Sequence, residues 1–594
     1  MGGINMGDWT LRLGEGPLPE RALIGGKAWS IARMANLGLD VPPAFVITTR
    51  ACAAYQAGGF PDGLEREIAD GIAWLEGKTG RSFGRGPSPL LVSVRSGAPV
   101  SMPGMMDTIL NMGITADTAA ALAAETGDAG FAHDTHRRFY DLYAGIVLKA
   151  GIEGFDPAGS HADWNAALAE KGCAMPDAPV ERLHCAVCAV FESWNSRRAK
   201  RYRQHHGIAD DLGTAVTIQA MVFGNLSGNS GTGVMFSRNP VTGAREPYGE
   251  YLPRAQGEDV VSGRFTPRPL AAMRDTVPEA YDRLLAAAES LERANRDVQD
   301  IEFTVQNGQL YLLQSRAAKR APAAAVRFAV DMVAEGMIDA AAALDRVTPD
   351  QVRSLLAPRL AEGEAEKATL LARGEAACPG IGIGLVVTDT DEAERLAAGG
   401  EDVILARATT SPEDLHGMIV AKSVITEHGG STSHAAVVSR ALGVPCVTGC
   451  GDGSVSVLAG QVVTVDGSSG RIFQGALKAV APDEASDEAL AALRRMAEAA
   501  SPLRVLPADS DPGVPIIDLN ALPGGEDVAN LPRLLEGAKA ATGGALASDA
   551  GMAVAVACGV GTVIGSPVLP LLLSAARAGK PAADREELAV EATS

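Results

Sequence analysis

In Thr426-Glu-His-Gly-Gly-Ser-Thr-Ser-His-Ala-Ala-Val-Val-Ser-Arg440, the residues from Gly429 to His434 set two glycines, three hydroxyl residues and a histidine ahead of an apolar run with helical spacing. Gly429 and Gly430 accept backbone angles closed to other residues, which suits a tight turn from strand into helix. Ser431, Thr432 or Ser433 can cap that helix. His434 then falls in its first turn, where free N–H groups and the positive end of the helix dipole favour a phosphate. A neutral imidazole in that position is a suitable nucleophile toward phosphorus. On these residues alone two readings stand level: a helix cap with an incidental histidine, and a histidine that carries phosphate.

Composition bounds the rest. A chain of 594 residues, 46% hydrophobic and 21% charged, reads as globular with roughly three to five domains. A formal charge of −20 argues against a nucleic-acid surface, which needs clustered Lys and Arg, but not against a nucleotide. The start lacks a basic stretch followed by an apolar run, so no signal peptide is expected. Eight scattered cysteines do not resemble a disulfide framework. Cys185-Ala-Val-Cys188 beside His184 lacks a second pair at zinc-site spacing and lies in a helical stretch, so it reads as structural. Residues 551–576 carry no charge, yet Gly559, Gly561, Gly565, Pro567 and Pro570 break them into a buried strand, a turn and a core helix rather than a membrane span. A reduced, cytoplasmic enzyme with no membrane or nucleic-acid partner is the expectation.

The N-terminal half offers a phosphate-binding pattern of its own. Ile24-Gly-Gly-Lys27 precedes an amphipathic helix and can present backbone amides and an ammonium to a phosphate. Leu90-Leu-Val-Ser-Val-Arg95 is a strand that leads into the loop Pro99-Val-Ser-Met-Pro-Gly-Met-Met-Asp-Thr108. Arg95 is either a phosphate ligand or a surface arginine at a strand end. Val298 to Val305 and Leu310 to Arg316 alternate in polarity and join through Asn307-Gly308, which predicts a hairpin. Asp300 and Glu302 share one strand face, and Gln314 and Arg316 share one on its partner. That set suits a magnesium nucleotide, and it suits a solvated sheet face equally. In the helix around residues 131–143, Phe139 and Tyr143 face a core, whereas His133 and His136 read as solvated.

The stretch around His434, followed by Gly443-Val-Pro-Cys-Val-Thr-Gly-Cys450, resembles the phosphohistidine signature of the pyruvate phosphate dikinases and other PEP-utilising enzymes. The segments described above, with Tyr248-Gly-Glu-Tyr-Leu252 and Ala255-Gln-Gly-Glu-Asp259, resemble the same family in order and spacing over residues 20–475. The resemblance implies ATP as substrate and Mg2+ as cofactor. It implies catalytic roles for His434, Arg95, Arg138 and Arg316, with Asp300 and Glu302 on the metal. Lys27, Arg95, Gly104, Met105, Thr108, Glu250, Glu258, Asp259 and Gln314 would contact the nucleotide. Thr432 matches the threonine regulated by phosphorylation in plant relatives, with capping as its other reading.

The implied architecture is a multidomain α/β and α+β chain. An ATP-grasp domain would span 1–320, a helical linker 321–372, a swivelling phosphohistidine β/β/α domain 373–478 and a small α/β domain 479–594. Several positions depart from the family: Ala28 replaces a glycine, His428 an arginine, Ser431 a methionine, and Ala408-Thr409 a Pro-Glu pair. The family's β/α barrel, of about 250 residues, does not fit in the roughly 120 that follow Gly475. In that tail, Val514 to Leu519 reads as extended and residues 529–541 as helical. The implied activity is phosphorylation of His434 by MgATP and phosphate, then transfer to pyruvate, on a separate barrel protein, or to another acceptor. A non-catalytic nucleotide sensor, and an enzyme that uses water in place of phosphate, are the alternatives.

Overall fold

Asn307 and Gly308 take φ of 50° and 82°, the two positive values a tight hairpin turn requires. They join strands Gln299–Gln306 and Gln309–Ala317. The computed structural model describes residues 9–100, 102, 106–261, 265–356, 359–361, 363–442, 444–480, 484, 486–525 and 527–579. The chain divides into two units. The first comprises Met1–Met235, Gly249–Leu291 and Gln299–Ala317; the second comprises Phe236–Tyr248, Glu292–Val298 and Ala318–Ser594.

In the first unit, β1 (Thr10–Arg12), β2 (Ala44–Ile47), β3 (Val92–Gly97), β4 (Thr108–Met112) and β5 (Ala215–Ala220) form a sheet in the order β1-β2-β5-β3-β4. A second sheet runs β8-β7-β6-β9-β10, from β6 (Gly231–Phe236), β7 (Tyr248–Pro253), β8 (Arg268–Pro269), β9 (Gln299–Gln306) and β10 (Gln309–Ala317). Helix α1 (Arg21–Asn36) buries Ile24, Ala28, Ile31 and Ala32 in one core with Ala44 and Val46 of the first sheet and Ile301, Phe303 and Leu312 of the second. Gly25 breaks the first turn of α1 at φ 75°, and a side chain there would meet the Gly97 carbonyl oxygen at 1.9 Å. Only glycine lets α1 start against the end of β3. Helix α2 (Ala129–Ile146) buries Phe139 and Tyr143, as its spacing predicts. His136 is buried too, against Tyr140 and Trp164, and is no solvated residue. Tyr140 lies one turn along the same helix, but Trp164 comes from outside it, where periodicity carries no signal.

The second unit holds an eight-stranded mixed sheet: β11 (Leu370–Arg373), β12 (Glu375–Cys378), β13 (Ile381–Val387), β14 (Val403–Arg407), β15 (Ser423–Thr426), β16 (Cys446–Thr448), β17 (Val462–Asp466) and β18 (Arg471–Gln474). Their order is β11-β18-β17-β13-β14-β15-β16-β12, and β13 to β16 run parallel. Apolar clusters cover both faces. Three helices precede this sheet, α3 (Pro322–Ala334), α4 (Ala340–Arg346) and α5 (Pro349–Leu355), where the sequence reads as a helical connector.

After the sheet, β19 (Arg504–Leu506), β20 (Ile516–Asp518), β21 (Ala540–Thr542) and β22 (Thr562–Ile564) form an open parallel sheet ordered β19-β22-β21-β20. The helix expected over 529–541 is instead a short turn of helix at Leu531–Leu534 followed by β21. The uncharged stretch is helix Asp549–Ala557, β22, then helix Val568–Ala578, so its first piece is a helix and not a strand. Among the described residues no helix is long and apolar enough to cross a membrane. Cys185 and Cys188 are thiols on helix Pro179–Ser193.

Candidate functional site

Across β9 and β10, Asp300 pairs directly with Arg316 and Glu302 with Gln314. Strand geometry thus brings the expected carboxylates, guanidinium and amide together on one face. Arg316 Nε donates to Asp300 Oδ2 at 2.8 Å, and Asp300 is only 2% exposed. Arg95, from β3, donates through Nη2 to Glu302 Oε2 at 3.3 Å. Burial alone would raise the Glu302 carboxyl, but Arg95, Arg316 and Lys27 outweigh it and hold it below the ordinary range. Three cations therefore surround two carboxylates. The surplus is positive, as a polyphosphate requires.

Lys27 carries that surplus in a titratable form. Burial chiefly, then Arg95 and Arg316, push its ammonium down to about 7, while Glu302 opposes them. A phosphate placed beside it raises that value again, so nucleotide binding above pH 7 must take up a proton. Calorimetric titration with ATP in two buffers of different ionisation enthalpy is expected to show this uptake at pH 7.5. It should vanish near pH 6, where Lys27 is already charged. Lys27→Met should abolish the uptake and weaken ATP about 10- to 100-fold, the effect of one charge-assisted hydrogen bond.

Arg138 is the arginine that reaches outward from α2. Its Nε donates to Asp134 at 2.7 Å, and its Nη1 to Asp259 at 2.8 Å and Glu258 at 3.2 Å. Arg137 instead pairs with Asp134 and Asp141 on its own helix. Burial raises the Glu258 carboxyl despite Arg138 beside it. Thr108 stands directly across from Arg95 on β4. Glu250 is half-buried on β7, next to Tyr251, which stacks on Phe303 in the core, so alternation turns Glu250 to the opposite face. Gly104 and Met105 lie outside the described residues.

In the second unit, β14 and β15 are adjacent parallel strands, and the loops beyond their C-terminal ends meet at His434. Ligand sites of open α/β sheets favour this position. His434 is the first residue of helix α6 (His434–Leu442). Of the capping candidates, Ser433 accepts from Ala436 N at 3.5 Å. Gly429 takes φ 100° in the turn. The Thr410 hydroxyl lies 3.1 Å from His434 Nδ1, while Nε2 is buried with no hydrogen-bond partner among the described residues. With Thr410 accepting, the proton sits on Nδ1 and the Nε2 lone pair is bare.

Burial lowers the His434 pKa, with Asp414 opposing. Asp414 is itself fixed by Ser411 N at 2.7 Å and by Arg407 at 3.1 Å. Thr410 and Asp414 escaped the sequence reading. Thr432, two residues before His434, is 6% exposed.

The oxygen donors Asp300, Glu302 and Gln314 fit Mg2+, which takes one or two carboxylates and completes its shell with water and phosphate. Held by Asp300 and Glu302, the ion would supply positive charge to offset that of a phosphate.

Residues 54–280 match the pyruvate phosphate dikinase AMP/ATP-binding domain, and residues 399–470 match the PEP-utilising enzyme mobile domain. In these two stretches the chain belongs with that family. It is 43% identical over 498 residues to pyruvate, phosphate dikinase 2 of Zea mays, covering 78% of this chain and 56% of that one. With pyruvate, phosphate dikinase of Rhizobium meliloti (strain 1021) it shares 40% over 535 residues, covering 81% and 59%. The chloroplastic pyruvate, phosphate dikinase 1 of Arabidopsis thaliana is 41% identical over 511 residues, covering 80% and 53%. The chain spans a little over half the length of these relatives.

Proposed function

We propose that this chain is the nucleotide-binding and carrier part of a pyruvate, phosphate dikinase-like phosphotransferase. The first unit is read as an ATP-grasp domain and the eight-stranded sheet as a swivelling phosphohistidine domain. The observation that carries the reading is His434: an imidazole with Nδ1 fixed by Thr410, Nε2 bare, at the start of a helix. Nε2 attacks the β-phosphorus of ATP, the α–β bridge breaks and AMP leaves. Inorganic phosphate then attacks the γ-phosphorus, pyrophosphate departs and the β-phosphoryl stays on His434. Arg95, Arg138 and Arg316 offset charge on the transferring oxygens, Lys27 holds a phosphate, and Asp300 and Glu302 hold Mg2+. Thr108, Glu250, Glu258, Asp259 and Gln314 orient the nucleotide, as would Gly104 and Met105. The phosphoryl group on His434 then passes to pyruvate or to another acceptor.

Chromatography of nucleotides after incubation with MgATP tests the reading. AMP up to one equivalent of the protein is expected, with pyrophosphate in equal amount only when phosphate is present. Release of the γ-phosphate as inorganic phosphate, in place of pyrophosphate, would mean that water takes the γ-phosphoryl. ADP as product, or tight ATP binding with no turnover, would overturn the proposal. Thr410→Val frees Nδ1 to lose its proton and turn, and should slow AMP formation about 10-fold, the worth of one hydrogen bond.

A further inference from the structure

Cys378 and Cys446 are register partners on the antiparallel strands β12 and β16. Side chains of paired residues project from the same sheet face, and both cysteines belong to the apolar cluster that includes Ala435 and Ala436 of α6. Both are thiols and both are 0% exposed. Paired Cα atoms of antiparallel strands stand about 4.5–5.5 Å apart, within the ~4.4–6.8 Å that a disulfide spans. The sulfur of Cys378 also donates to the carbonyl of Ser439, on α6, at 3.7 Å.

We propose that Cys378 and Cys446 form a reversible intramolecular disulfide, a modification site inside the sheet that carries His434. Access comes from the edge. β12 is the last strand of the sheet, only four residues long, and its pairing is interrupted by an irregularity between Ala376 and Cys378. Short, irregular edge strands open at low cost compared with the core. With hydrogen peroxide as oxidant, one thiolate attacks the O–O bond, giving a sulfenic acid and, after proton uptake, water. The second thiol then displaces the sulfenic oxygen as water and the S–S bond forms. Two thiols and one peroxide thus yield one disulfide and two waters, and a dithiol reductant reverses the change.

The bond would close a loop that contains His434 and all of α6, and would remove the donor to Ser439. It tethers β12 so that the edge no longer opens. Oxidation should therefore raise the thermal midpoint of the second unit and slow amide exchange along β12 and β16.

The test is peptide mapping of the native full-length protein after peroxide treatment and alkylation. Trypsin, cutting after Arg373 and Arg440 among other sites, separates the peptide of Cys378 from the one that holds both Cys446 and Cys450. The expected result is one cross-link between these two peptides and a fall from eight titratable thiols to six in the denatured protein. The cross-link should persist in Cys450→Ala, vanish in Cys378→Ala and Cys446→Ala, and disappear with dithiothreitol. A cross-link retained in Cys446→Ala would assign the bond to Cys450 and overturn the proposal. So would eight thiols surviving treatment of the wild type, or oxidation to sulfinic acid with no cross-link. Should a variant fail to fold, fragmentation of the wild-type cross-linked peptide between Cys446 and Cys450 decides which of the two is bonded to Cys378.

Discussion

His434→Asn is expected to reduce AMP formation from ATP to background while leaving ATP binding within about twofold of wild type. Asparagine keeps a polar side chain at the first position of α6, so the helix start and its Ser433 cap persist. What is lost is the basic nitrogen. A carboxamide offers no lone pair comparable to the bare Nε2, and no other residue described here stands at the helix start to replace it. Removing a covalent nucleophile removes the two-step route altogether, a loss of several orders of magnitude rather than a graded one. Binding is spared because Lys27, Arg95, Asp300, Glu302 and Arg316 all belong to the other unit. AMP formation retained in the variant, measured under single-turnover conditions, would remove His434 from the reaction.

Arg238→Met is expected to cost about 3–5 kcal/mol of the second unit's stability, the usual effect of stripping one partner from a buried ion pair. Arg238 is 1% exposed and holds two carboxylates at once: Glu292 at 2.6 and 3.0 Å and Glu335 at 2.7 and 3.0 Å. These three residues come from the three separate pieces of chain that make up the unit. Arg320, paired with Asp297 at 2.7 and 2.9 Å, ties two of them a second time. In the variant, methionine fills the space, but Glu292 is left with the Ser237 hydroxyl and Glu335 with Arg245 at 3.4 Å.

The penalty has a pH signature. The hydrogen bond from Arg238 is the main reason the Glu335 carboxyl is held below its ordinary value. A depressed carboxyl contributes stability above its unfolded pKa and loses it as the pH falls through its folded one. The gap between wild type and variant should therefore be full at pH 7 and narrow below about pH 4.5, read as urea midpoints at each pH. A gap constant from pH 7 to pH 3 would mean that packing, not charge, is what Arg238 supplies.

Local chemistry was legible in the sequence and distant pairing was not. The hairpin of β9 and β10 could be read because its turn, its alternation and its polar face all lie within about twenty residues. The turn into α6 was legible for the same reason: Gly429, the cap and the histidine are consecutive. Arg238 gave no such signal, since its partners lie 54 and 97 residues away. Thr410 sits 24 residues before His434, and only the pairing of β14 with β15 brings it to the imidazole. His136 was misread because a helix period places a side chain on a face without saying what covers that face. The tail was misread where alanine-rich text, equally at home in a buried strand, became β21.

The measurement that tests the central claim most directly is the position of the label on the protein. Full-length wild type is incubated with MgATP labelled in either the β- or the γ-phosphate, with inorganic phosphate present, then digested at alkaline pH to preserve phosphohistidine. The β-label is predicted to remain, acid-labile, on the peptide that contains His434, and the γ-label is predicted to leave as pyrophosphate. Label from the γ-phosphate on any peptide, or β-label on a peptide without His434, would contradict the account.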